Sequence, residues 1–404
     1  MLFWLSVAGL GLLWFGWLSA LVKMLRGIDD VPEQWKLDEG VEPDPIIPAQ
    51  APLGLAESPA PSLSLVVPAR NEVHNIERCV TALLAVDWPG ELQVVVVDDR
   101  STDGTTEALA AIDDARLTVV EGKDPPKGWL GKPHALHLAQ QHATGDWLLF
   151  IDADVVIDPL GPRRLIGRVI AQGAEMASSL GKLLVETFWE RVLQTRVGAI
   201  IAGGNPLDEV NDPEHERALA NGQCLLFKRE AYDRMGGHES IQGSVLDDVD
   251  FAKLAKAEGV VYRLYYAPGV FACRMYTGLR EIWNGWTKNL FPALEYKVHL
   301  VAIVTGLLFV VCLLPFVLLA KNGIVWGLGG AVDPVFVAME AGMCLTIFAV
   351  DALGHRINGY KWGLFWTFPL GMGMVLALFW YSAWRIKSGK GAVWKGRVVE
   401  AGRS

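Results

Sequence analysis

The chain has 404 residues, a formal net charge of -9, a mean hydropathy of +0.28 and 16 tryptophans, with its apolar residues gathered at the two ends. No basic stripe is available to neutralise phosphates, which argues against nucleic acid as a partner. Cys79, Cys224, Cys273, Cys312 and Cys344 are far apart, without any C-x-x-C spacing, and predict buried thiols in a reducing compartment rather than a disulfide frame or a zinc site.

Residues 2–22 carry no charge and include Phe3, Trp4, Trp14, Phe15 and Trp17, enough for a membrane span of about 20 residues. The run lacks a basic segment ahead of it and a small-residue cleavage site behind it, which disfavours a cleaved signal peptide. Lys23 and Arg26 follow at once, so the positive-inside rule places the next segment in the cytoplasm. We therefore expect an anchor over 1–24 and an acidic, Pro/Ala-rich linker over 25–61 that lies along the domain or the membrane surface.

From residue 62 the pattern alternates. Leu63 to Pro68, Val94 to Val97, Leu117 to Val120 and Trp147 to Ile151 predict strands, with helices over Asn71 to Ala85, from the capping signature Ser101-Thr102-Asp103-Gly104, and over His134 to His142. Continuous β-branched runs between helices imply a mostly parallel sheet covered on both faces, the α/β class. In such sheets ligands sit outside the carboxyl ends of the strands. Pro68-Ala69-Arg70-Asn71-Glu72, Asp98-Asp99-Arg100-Ser101 and Asp152-Ala153-Asp154 all fall at strand ends and should meet in one crevice. Alone, Asp152-Ala153-Asp154 is as readily a capping turn; with the other two tips beside it, a pair of carboxylates for a hard cation becomes the better reading.

These motifs, with Val97-Asp98-Asp99-Arg100-Ser101-Thr102-Asp103-Gly104-Thr105, Gly131-Lys132 before a helix, and Leu246-Asp247-Asp248-Val249-Asp250-Phe251, resemble the family 2 glycosyltransferases over roughly residues 62 to 275. The resemblance implies a GT-A doubly wound sheet over 62–276 that binds a nucleotide sugar, with a UDP donor, Mg²⁺ or Mn²⁺, and inversion at the anomeric centre. By the same resemblance Asp99 takes the base, with Pro68, Glu72 and Asp98 nearby for base and ribose. Lys132 reaches the diphosphate, Asp152 and Asp154 hold the metal, and Asp248 is the general base with Asp247 its near alternative. Helix capping is the competing role for Asp98, a solvated first turn for Glu72, and an ordinary helix N-terminus for Asp247, Asp248 and Asp250. The glycines at Gly203-Gly204-Asn205, Asn221-Gly222-Gln223 and Gly236-Gly237-His238 would allow backbone approach to a sugar, with Gly222 and Gln223 on the acceptor side, or would simply make turns. His238 is expected to be structural.

Ile282, Trp283, Trp286, Leu290 and Leu294 share a helical face opposite Arg280, Glu281 and Lys288, which predicts an interfacial helix over 277–297. Processive relatives carry Q-x-x-R-W in this neighbourhood and this chain does not. Trp283, Trp286 and Lys288 stand there instead, as acceptor-side groups or as a plain anchor, and favour a single transfer. Transmembrane segments are expected within 298–384, at Val298–Ala320, Pro334–Val350 and Trp362–Trp384, followed by a basic tail over 385–404. Three full crossings would put that tail opposite the catalytic domain, whereas its lysines and arginines argue for the cytoplasm. The middle segment is short and contains Glu340, with Asp351 just beyond, so it is the candidate for an incomplete crossing. The expected enzyme is a multi-pass inner-membrane protein that moves one sugar to a lipid or polyprenoid acceptor at the cytoplasmic face, as in ceramide, carotenoid-acid or hopanoid glycosylation. A polysaccharide synthase and a catalytically silent membrane scaffold are the alternatives.

Overall fold

A computed structural model describes residues 31–38, 60–394 and 397–399. The anchor expected over 1–24 lies outside the described residues, as do most of the linker and of the basic tail. The chain divides into two units. The α/β unit takes in Val31–Leu184 and Leu207–Met275, and the apolar unit Val185–Pro206 and Tyr276–Trp394.

In the α/β unit a seven-stranded sheet has the order β3-β2-β1-β4-β8-β6-β9. Its strands are β1 (Leu63–Ala69), β2 (Leu92–Asp98), β3 (Leu117–Glu121), β4 (Trp147–Ile151), β6 (Met176–Leu180), β8 (Cys224–Lys228) and β9 (Tyr262–Tyr266). β8 alone runs antiparallel to its neighbours β4 and β6; the other pairings are parallel. Three short strands, β5 (Val155–Ile157), β7 (Lys182–Leu183) and β10 (Phe271–Cys273), form a second sheet. The helices are α1 (Ile76–Leu84), α2 (Thr105–Ala110), α3 (Gly131–Gln140), α4 (Gly161–Ala171), α6 (Leu207–Asn211), α7 (Arg229–Arg234) and α8 (Asp247–Ala257). The alternation of the sequence thus yields the expected mixed, parallel-dominant α/β sheet.

Val94 to Val97 and Leu148 to Ile151 are almost wholly buried because helices cover both faces of the sheet. One face packs Leu65, Val67, Ile76, Val80, Leu149 and Leu165. The other packs Val66, Val95, Leu136, Phe150, Phe227 and Phe251. The strands therefore stay in register and deliver their carboxyl ends side by side. Residues 31–38, within the expected linker, lie along the outer strand: Leu37 N–H donates to Tyr266 O (2.9 Å) and Trp35 Nε1 to Asp208 Oδ1 (2.9 Å).

The apolar unit contains α5 (Thr195–Gly204), preceded by a π-helical turn Glu190–Gln194, then α9 (Leu279–Ala293), α10 (Val298–Leu308), α11 (Leu314–Gly327), α12 (Pro334–Ile357) and α13 (Phe368–Lys387). Three stretches are long and apolar enough to cross a membrane: Val298–Gly327, Pro334–Ile357 and Trp362–Lys387. The middle segment, expected to be short, is a continuous helix of 24 residues, because both of its acids have partners. Asn322 Nδ2 donates to Glu340 Oε2 (2.8 Å), and Arg196 pairs with Asp351 (2.9 Å).

α13 runs antiparallel to α10 and α11. Phe368 meets Phe316 at 6.5 Å, Trp380 Nε1 donates to Thr305 Oγ1 (3.2 Å), and Ser382 Oγ donates to Thr287 O (2.6 Å). The third apolar helix therefore starts level with the middle of the first and finishes level with its beginning. Counting three equal crossings does not describe this packing.

α9 is amphipathic as expected, yet its apolar face is already covered. Ile282, Trp286, Leu290 and Phe291 are buried, Trp286 Nε1 donates to Gln194 Oε1 (2.8 Å), and the rings of Trp283 and Tyr381 are 5.7 Å apart. Trp286 is therefore an internal anchor of the apolar unit rather than an acceptor-side group, whereas Trp283 is half-exposed beside Tyr381 of α13. Lys288, half-buried, belongs to the same unit.

Candidate functional site

Asp152, Ala153 and Asp154 follow β4 in a turn closed by Val155 N–H donating to Asp152 O (3.1 Å), rather than extending the strand. Ala153 is buried while Asp152 and Asp154 are half-exposed, and the Oδ1 atom of Asp154 is itself buried. Their surroundings select hard chemistry. Burial, reinforced by Asp154 and Asp152, holds the Cys79 and Cys273 thiols well above their ordinary range, so both stay protonated and are poor metal ligands. Two half-exposed carboxylates beside neutral thiols fit Mg²⁺ or Mn²⁺, which need only one or two protein carboxylates when phosphate and water complete the shell. Among the described residues no cluster of three or more His, Cys, Asp or Glu side chains makes a closed protein cage.

Lys132 stands in the first turn of α3, not in a loop before it, and its ammonium reaches the acids directly. Nζ is 2.7 Å from Asp152 Oδ1 and 3.9 Å from Asp247 Oδ2. The paired acids open α8, where the helix N-terminus favours negative charge. Asp247 is buried, and its Oδ2 accepts no hydrogen bond among the described residues. Asp248 is half-buried, accepting from Gly222 N–H at Oδ2 (2.8 Å) and from Val249 N–H at Oδ1 (2.8 Å). Burial and the neighbouring charge of Asp247 push Asp248 up to about 6, against the opposing pull of Lys132. Asp250 accepts from Ser244 Oγ (2.5 Å) and stabilises the loop ahead of the helix.

Gly222 is where these groups converge. A Cβ there would lie 3.2 Å from Lys132 Nζ and 3.3 Å from Asp248 Oδ2, so only glycine leaves both heads undisturbed. Asn221 fixes the loop, with its N–H on Ser178 Oγ (2.7 Å) and Nδ2 on Ser179 O (2.9 Å). The backbone N–H of Gly222 is thereby aimed at the Asp248 carboxylate, a role for which the Asn-Gly pair was the only signal in the sequence.

Gln223 is corrected. It is buried, donating from Nε2 to Cys273 Sγ (2.9 Å) and accepting from Asn221 at Oε1 (3.2 Å), so its amide supports the loop instead of facing an acceptor. His238 is structural as expected, fully buried, with Nδ1 2.6 Å from the Tyr232 hydroxyl. Gly237 before it has φ +55°, and a Cβ would come within 2.7 Å of the Tyr232 ring.

On the nucleotide side, Asp99 is buried with Oδ1 3.2 Å from Arg100 Nε and Oδ2 3.6 Å from Arg70 NH1. Asp98 accepts from Ser101 N–H (3.0 Å) at Oδ1 and from the Thr106 hydroxyl at Oδ2, so it ties the loop to the first turn of α2 without capping that helix. Glu72 Oε2 accepts from Asn75 (3.0 Å) in the turn that starts α1. Pro68 lies at the end of β1 opposite Val97, next to Ala69, whose carbonyl accepts from Asp99 N–H (2.7 Å). Asn71 and Arg100 hold left-handed backbone, φ 52° and 56°, a state that asparagine adopts more readily than arginine. Asn71 N–H donates to Ser101 Oγ (3.0 Å) and Asn71 Oδ1 accepts from Thr102 N–H (2.9 Å), which ties the two loops together.

The model of glycosyl transferase family 2 matches residues 64–236. Over 237 residues the chain is 27% identical to the 4,4'-diaponeurosporenoate glycosyltransferase of Staphylococcus aureus (strain bovine RF122 / ET3-1), covering 57% of this chain and 60% of that protein. The chain thus spans less than two thirds of that relative's length. Among solved structures, the mannosyltransferase PcManGT from Pyrobaculum calidifontis, in complex with GDP-Man and Mn²⁺, aligns with a TM-score of 0.50 at 20% identity, over 94% of this chain and 96% of that one. At that identity the likeness is one of fold. Motif order and sheet topology agree with the matched model over residues 64–236, the stretch in which the chain is similar to glycosyl transferase family 2.

Proposed function

We propose that the chain is a membrane-bound inverting glycosyltransferase that moves one sugar from a nucleotide-sugar donor to a lipid-type acceptor. The observation that carries this reading is the placement of Asp248: a carboxylate titrating near 6, held by the Gly222 N–H, in a site whose Lys132 bridges to Asp152. A general base works best with a proton affinity close to the operating pH. Asp248 accepts the proton of the acceptor hydroxyl or carboxyl as its oxygen attacks, and Gly222 keeps the carboxylate oriented. Asp152 and Asp154 would hold Mg²⁺ or Mn²⁺, which when bound neutralises charge on the leaving diphosphate. With no enzyme nucleophile in the path, attack is in line and the anomeric centre inverts. Asp99 lies on the base side of the crevice, and a UDP donor remains our expectation.

The acceptor reading rests on the diaponeurosporenoate relative, a carotenoid-acid enzyme by name, and on the three apolar helices. A carotenoid-type or other polyprenoid acid or alcohol presented at the cytoplasmic face of the inner membrane is the substrate class we infer. Incubating membranes that contain the protein with labelled UDP- and GDP-sugars and separating the lipid extract tests this. One labelled lipid carrying one sugar supports it; polymeric product would favour a polysaccharide synthase, and no transfer from any nucleotide sugar would favour a silent scaffold.

A further inference from the structure

Lys132 has a position that phosphate binding alone does not require. Its side chain is one-third exposed, with the ammonium 2.7 Å from Asp152 and 3.9 Å from Asp247, and the bare backbone of Gly222 leaves room for it. Asp152 after β4 and Asp247 at the start of α8 both face Lys132, which is the cation that the contacts place between them. A lysine ammonium paired with a carboxylate is charged at neutral pH. A unit positive charge within hydrogen-bond distance of a carboxylate both neutralises it and occupies its lone pair.

We propose that Lys132 is the resident cation of the donor-free site, and that a divalent ion binds by displacing it from Asp152. This inference rests on the assignment of Asp152 and Asp154 as metal ligands. Its consequence is coupling. The ion alone must compete with the ammonium for Asp152 and binds weakly, whereas a nucleoside diphosphate offers the displaced ammonium a new anionic partner. Ion and donor then bind cooperatively, and Lys132 sets the size of that cooperativity.

The test uses purified full-length protein in detergent and follows free Mn²⁺ by electron paramagnetic resonance, with and without UDP or GDP. Wild type should bind Mn²⁺ weakly alone and at least tenfold more tightly with the nucleotide. Lys132→Gln should bind Mn²⁺ alone at least tenfold more tightly than wild type and gain little from the nucleotide, whereas Lys132→Arg should behave like wild type. In wild type, Mn²⁺ should also raise the rate at which an amine-acylating reagent modifies Lys132, a measurement that needs no variant. Equal Mn²⁺ affinity in wild type and Lys132→Gln, or acylation unchanged by Mn²⁺, overturns the displacement while leaving the metal site standing. If no form binds Mn²⁺ with or without nucleotide, the metal assignment fails and takes the inference with it.

Discussion

Asp248 loses its proton near pH 6, so the fraction able to accept a proton from the acceptor grows as pH rises through that value. The kcat/KM of transfer should therefore show an acid limb centred at about 6. Because Asp247 helps to push Asp248 up, Asp247→Asn should move the limb to lower pH, and a pH–rate profile of that variant checks the direction. Asp248→Asn should lose activity by about 10²–10⁴-fold, the span expected when a general base is removed. Gly222→Ala tests orientation alone: its methyl would lie 3.2 Å from Lys132 Nζ and 3.3 Å from Asp248 Oδ2, and the flexible lysine can yield. We expect kcat to fall by roughly tenfold from the displaced carboxylate, with thermal unfolding unchanged. The acids of this site were legible in the sequence because charged residues interrupt apolar runs at strand ends. The grip of Gly222 on Asp248 was not, since residues 26 apart in sequence meet only through the antiparallel placement of β8. Gln223 misled for a related reason. Its neighbour faces the crevice, and the turn sends the next side chain inward to Cys273.

Among the elements, α12 shows how far local reading reaches. Its acids looked like faults in a membrane helix, and within the helix only His355, 3.6 Å from the Asp351 carboxylate one turn on, stands near either of them. The partner of Asp351 is Arg196, 155 residues away, on α5. That guanidinium is almost fully buried, 3% exposed in its side chain, donates to Val192 O (2.6 Å), and lies over the Phe368 ring at 5.4 Å. Removing one member of such a pair strands the other charge, so Arg196→Leu should destabilise the apolar unit by about 3–5 kcal/mol. Arg196→Met with Asp351→Leu should recover most of that loss. Thermal unfolding of the detergent-solubilised proteins measures both. α9 illustrates the opposite case: its amphipathic period was plain in the sequence, but whether lipid or protein covers the apolar face depends on Gln194 and Ser382, which no local pattern announces.

At the scale of the molecule, the antiparallel course of α13 bears on which side of the membrane each end occupies. Phe316 lies 18 residues beyond Val298 and Phe368 lies 19 before Lys387, so each stretch rises about 27–29 Å at 1.5 Å per residue. Lys297 and Ser388 should then share one face of the bilayer and Leu328 should lie at the other. Lys297→Cys and Ser388→Cys should both resist a membrane-impermeant thiol reagent applied to intact cells, while Leu328→Cys should react. The five native cysteines are all free and buried, so they contribute little background. Reaction at Leu328→Cys with protection at Lys297→Cys and Ser388→Cys would fit the positive-inside expectation for the basic residues after α13.

The path of the main chain has a practical outcome for expression. Residues 185–206 leave the α/β unit after β7 and return to it at α6, having joined the helices that follow Tyr276. A fragment ending at Met275 would keep every motif of the transferase domain, yet it would carry α5 without Asp351, Phe368 and Gly371, against which Arg196 and Val192 are packed. Such a fragment should be insoluble or aggregate. Replacing residues 185–206 by a short polar connector in a fragment that starts at Val31 and ends at Met275, rather than truncating after Met275 alone, is the route to a soluble α/β unit.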